Sequence, residues 1–107
     1  MPNNYKNAKV DLTTTNVTTL YTAPAATTSL VKSILASEDS GNADTITVTI
    51  TDADAAVFSL FKVKAVAANT TVELLSEPLV VKENEILKVT AATANRLHVV
   101  ASLLEIS

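Results

Sequence analysis

Residues 42–51, NADTITVTIT, restrict the fold more than any other stretch of the chain. Ile46, Val48 and Ile50 alternate strictly with Thr45, Thr47, Thr49 and Thr51. A period of two belongs to a half-buried β-strand, since successive side chains point to opposite faces of a sheet. β-Branched threonine suits a pleated surface and keeps one side hydrated without charge. A one-residue slip in pairing would turn the threonines inward, so the register of this strand is strongly specified.

Similar short segments recur along the chain, separated by turn-forming residues. VDLTT (10–14) and VTTLYTA (17–23) come first, the second closed by Pro24, which cannot donate to a ladder. TSLVKSILAS (28–37) runs into EDSGNAD (38–44), the clearest turn signal present. The segment AVFSLFKVKAV (56–66) has some helical spacing, but its shortness and its β-branched and aromatic content favour a strand. TVELLS (71–76), PLVVK (78–82), ILKVTAA (86–92) and RLHVVASLLEIS (96–107) follow. The reading is all-β: a single antiparallel β-sandwich of eight or nine short strands, with a jelly roll among its candidate topologies. Ile46, Val48, Ile50, Val72, Leu74, Leu87 and Val89 are expected to face inward. Residues 1–9 are polar and read as a loosely held N-terminal arm, with the sandwich domain spanning 10–107.

Composition narrows the rest. At 107 residues the chain supports one core. Aromatics are only 4%, so that core must be aliphatic, and one glycine leaves Asn, Asp, Ser and Ala to make the turns. A net charge of −3, with lysines scattered singly and Arg96 the sole arginine, disfavours a nucleic-acid partner. No apolar run approaches the roughly 20 residues of a membrane span, and the N-terminus has no apolar signal region. With no cysteine there is neither a disulfide framework nor a thiolate nucleophile.

The search for chemistry yields little. His98 is the only histidine, which excludes a histidine metal cluster. Ser102 with Asp44 or Asp52 would complete a triad around it only if the fold gathered them, and no strained nucleophile turn accompanies them. The pairs Glu38/Asp39, Asp52/Asp54 and Glu83/Glu85 all fall in turn segments, where solvated acids are ordinary. Asp52 and Asp54 also make a fragment of a calcium loop, without its glycine or its later glutamate. NVT (16–18) and NTT (69–71) match the glycosylation pattern, which arises readily by chance in a Thr-rich chain. The expectation is no catalytic, cofactor-binding or metal-binding residue, and no enzyme.

The layout LYTAPAATTSLVKSILASEDSGNADTITVTI (20–50), followed by VAANTTVELLSEPLVVKENEILKVTAATANRLHVVASLLEI (66–106), resembles small β-sandwich structural proteins of tailed bacteriophages. The likeness spans residues 17–106 and lies in turn order and strand pattern. Where those proteins commonly place glycine before the LKV-type strand, this chain has KENE. The resemblance implies a virion protein made in the host cytoplasm, in first place a capsid decoration (cement) protein. It implies association with the major capsid protein or tail proteins and with copies of itself, as a trimer by preference. A tail, neck or fibre protein is the close alternative, and a sugar- or surface-binding module the more distant one. On this reading residues 1–9 become ordered against a neighbouring subunit, and their deletion weakens attachment while leaving the domain folded.

Overall fold

A computed structural model describes residues 3–106. The described chain contains no helix and forms nine strands: β1 Asn3–Asp11, β2 Thr18–Thr22, β3 Thr28–Glu38, β4 Asp44–Thr51, β5 Val57–Val66, β6 Thr71–Glu73, β7 Leu79–Val81, β8 Ile86–Ala91 and β9 Leu97–Ile106. One sheet runs β1-β9-β3-β6, with β7 also paired to β3, and the other runs β2-β8-β4-β5. All pairings are antiparallel. Strands from the two halves of the chain interleave in both sheets, the strand order of a jelly roll. β6 and β7 divide the outermost position between them, each pairing a different part of β3.

The core lies between the sheets and is aliphatic, as the composition requires. Val31, Ile34, Leu97, Val99 and Leu103 meet Ile46, Val48, Leu87 and Val89, each at most 2% exposed. Each fully buried aliphatic contributes about 1.5–3 kcal/mol relative to an exposed one. Of the residues expected inward, Ile46, Val48, Leu74, Leu87 and Val89 are buried, while Ile50 and Val72 are half-buried against the same core. Phe61 packs at its edge, and Phe58 stays more than half exposed on the edge strand β5.

Asn and Ala do make the turns. Ala26, Ala55, Asn69, Asn84 and Asn95 all take positive φ, the left-handed conformation that Gly41 also adopts at φ 88°. Val63, at φ 54°, is a more costly case because it is β-branched. It sits where β5 bulges against β4, and its N–H donates to the Thr47 hydroxyl at 3.1 Å. That bond gives one threonine of the alternating strand a defined task. Bulges, together with Lys62 and Lys64, make β5 a poor template for edge-to-edge pairing.

One sequence expectation is corrected here. Residues 3–9 are not a loose arm outside the sandwich. They belong to β1, which pairs with β9 from Asn3↔Ile106 to Asp11↔His98. Ala8 and Val10 pack against the core, and Lys6 points inward at the sheet edge to meet Glu105 at 3.1 Å. The sandwich therefore begins by residue 3, and residues 1 and 2 lie outside the described part. Lys32 is exposed to solvent. It sits at a bulge of the inner strand β3, within the gap between β6 and β7.

Candidate interaction face

The polar residues that the sequence offered for chemistry are used to hold turns. Asp52 Oδ1 accepts the N–H groups of Asp54 and Ala56, each at 2.9 Å, so it organises its own loop. Glu83 accepts from the Ala26 N–H at 2.7 Å, and Glu85 from the Lys82 N–H at 2.7 Å. Asp44 accepts from the Thr93 N–H at 3.1 Å. Burial opposes ionisation of Glu38. Donation from the Ser40 hydroxyl and amide and from the Asn69 and Gly41 amides outweighs it and lowers its pKa to about 2. This one carboxylate thus ties the turn after β3 to the turn before β6.

His98 lies between two acids, with Nε2 3.2 Å from Asp11 and Nδ1 3.5 Å from Asp39. Both ring nitrogens face carboxylates rather than a serine hydroxyl, so neither is placed to activate one. Ser102 shares a face with His98 but lies two rows along β9, while Asp44 is on β4 of the opposite sheet and Asp52 in the turn that follows it. The imagined triad is not brought together. Among the described residues no group of three or more His, Asp or Glu side chains is placed to hold a metal ion.

A second buried network escaped the sequence reading. The Tyr21 hydroxyl, on β2, donates to Glu105 of β9 at 2.5 Å and shares a hydrogen bond of 2.6 Å with the Ser29 hydroxyl of β3. Burial and then donation to Glu105 push the Tyr21 phenol up to about 12. The Glu105 carboxyl is held below its ordinary value, first by Tyr21, against burial, and then by Lys6. The network bolts the two sheets together at one end and fixes β1 to them. Glu73 has a comparable role at the gap in β3: it accepts from the Ser33 hydroxyl, from the Ile34 N–H at 2.9 Å and from the Leu75 N–H at 3.2 Å. Those bonds outweigh its burial and hold its carboxyl low.

One outer face carries exposed apolar side chains. Pairing registers align side chains in rows across the outer face of the five-stranded sheet. One row reads Tyr5–Leu104–Leu30–Val80, and another reads Lys9–Val100–Leu35–Glu73. Between them lies Asn7–Ser102–Ser33, and beyond the second comes Asp11–His98–Ser37–Thr71. Tyr5 is 77% exposed and Val80 50%, with Leu35, Val100 and Ile106 each more than a third exposed. The Lys32 ammonium stands 5.5 Å from the centre of the Tyr5 ring. Tyr5, Lys6, Asn7, Lys32, Ser102 and Leu103 border a shallow depression there.

The outer face of the other sheet is hydroxylated instead. Thr49 lies beside Lys88 and Ser59, Thr47 beside Thr90, and Thr19 and Thr22 continue the face on β2. Lys88 is the single charge among these residues. No family model matches this chain, and a search of curated proteins finds no match.

Proposed function

We propose that this chain is a structural protein that acts by contact between folded surfaces, as a decoration protein on the assembled capsid of a tailed phage. The observation that carries the reading is the apolar row Tyr5–Leu104–Leu30–Val80, left open on the outside of a sandwich whose inner core is already complete. A contiguous exposed apolar surface on a small domain is commonly an interaction site. The hydroxylated face opposite supports the same reading, because hydroxyls are cheaper to remove from water than charges. The resemblance of residues 17–106 to phage virion sandwiches supplies the setting. In this role the sandwich is a rigid plate: one outer face meets other copies, and the threonine face lies against the shell.

The experiment is electron microscopy of particles from the source that encodes the chain, with the protein located by a specific antibody. Many copies spread over the shell are expected. A few copies at one end would assign it to the tail or neck, and none on the particle would refute a virion role.

A further inference from the structure

We propose that the outer face of the five-stranded sheet is closed by the same face of a second copy, about a two-fold axis parallel to the strands and lying between β9 and β3. This goes beyond the virion reading and stands without it. Such an axis keeps each row level and reverses the order of strands, so β1 faces the partner's β6 and β7, and β9 faces the partner's β3. Tyr5 then meets Val80, and Leu104 meets Leu30. In the next row Lys9 meets Glu73, and Val100 meets Leu35. Ser102 meets Ser33 between them. The two rows of four are each complementary to their own reversal, the first in polarity and the second in charge as well, while the exposed Lys32 on the same face reaches towards Tyr5.

The alternative two-fold, perpendicular to the strands, lacks this match. It would lay the row Lys9–Val100–Leu35–Glu73 on Tyr5–Leu104–Leu30–Val80, pressing both charges against apolar side chains, which is costly. Glu73 is available to Lys9 as an anion, since its bonds to Ser33, Ile34 and Leu75 favour the ionised form. Lys9 has no ion pair of its own among the described residues, whereas Lys6 is engaged with Glu105.

The area is sufficient for a modest dimer. Four strands about 4.8 Å apart and five rows about 6.8 Å apart, the fifth being Asn3–Ile106–Thr28, give roughly 600 Å² per copy, hence about 1,200 Å² for the pair. That is the lower bound of specific interfaces, the range in which weak or transient association is found. A two-fold pair also differs from the trimer that the resemblance implies.

The test is sedimentation equilibrium of the full chain at about 1–100 μM, with two sets of variants. Wild type is expected to pass from monomer to dimer across this range. Leu104→Lys, at a half-exposed outer position, is expected to remain monomeric with at least a tenfold weaker association and an unchanged β-sheet spectrum. Tyr5→Cys/Val80→Cys is expected to give linked dimers with a short bis-maleimide, because the chain has no other cysteine. Within one copy these positions lie three strands apart, about 14 Å, beyond a short linker, and each single variant is expected to stay unlinked. A wild type that stays monomeric at 100 μM, a trimer, or cross-linking of Tyr5→Cys alone would overturn the proposal. The cross-linking arm keeps it open to refutation even if Leu104→Lys misfolds.

Discussion

Tyr21→Phe tests the bolt between the sheets. The substitution keeps the ring and deletes only the hydroxyl that donates to Glu105 and meets Ser29. Glu105 is 7% exposed, so water cannot freely replace the lost donor. A hydrogen bond to a charged group is worth about 1.5–3 kcal/mol, and the loss of the Ser29 contact adds to it. The Lys6 end of the network is half in water and compensates little. A loss of about 2 kcal/mol is therefore expected, which in a domain of this size lowers Tm by on the order of 10 °C. The assay is urea unfolding followed by circular dichroism, with an unchanged m-value showing that the same surface is exposed. The pH dependence adds a second check. Glu105 has a depressed pKa in the folded state, so its contribution is present above the ordinary value of 4.5 and is lost as pH falls below it. Because Tyr21 is the main cause of that depression, the gap between wild type and variant should narrow on acidification. A Tm within 1 °C of wild type at neutral pH, a margin of about 0.2 kcal/mol, would refute the reasoning.

Thr51→Val is expected to stabilise the fold by about 1 kcal/mol, since the buried Thr51 hydroxyl has no partner among the described residues and valine keeps its shape; a lower unfolding midpoint would show that the hydroxyl is satisfied. Glu38→Gln should weaken both turns that the carboxylate ties and flatten the loss of stability that wild type shows as pH falls from 4.5 toward about 2; urea midpoints across that interval measure it, and parallel curves would count against the assignment. Deletion of residues 1–9 strips most of β1 and the Lys6–Glu105 pair, so the remaining domain should melt well below the full chain; an unchanged melt would restore the view of a loosely held arm outside the sandwich.

The sandwich was legible because its inner faces are written in short-range alternation. β4 lies within the alternating stretch 42–51, and the glycine shortage correctly pointed to Asn and Ala in the turns. Most of β1 was missed for a physical reason, only Val10 and Asp11 falling in the segment read as strand at 10–14. Its inward positions include Asn4 and Lys6 at a sheet rim open to water, so no apolar alternation marks it. The Tyr21–Ser29–Glu105 network was hidden because its members meet only once the two sheets pack. The outer apolar row left a fainter trace in the doublets Leu30–Val31, Val80–Val81, Val99–Val100 and Leu103–Leu104. A strand with one face in water has no use for paired apolar neighbours, whereas a strand covered on both faces does. The rows themselves could not be read locally, because Tyr5 and Leu104 are brought together by the register of strands from opposite ends of the chain.

The central claim is that the outer face of the five-stranded sheet is the surface by which this protein works. Hydroxyl-radical footprinting of the full chain across a dilution series measures it most directly. The account predicts that labelling of Tyr5, Leu30 and Leu104 falls as concentration rises, while Val57 and Phe58, exposed on β5 of the other sheet, stay equally reactive. Constant labelling of Tyr5 and Leu104, with protection appearing on β5 instead, would contradict it.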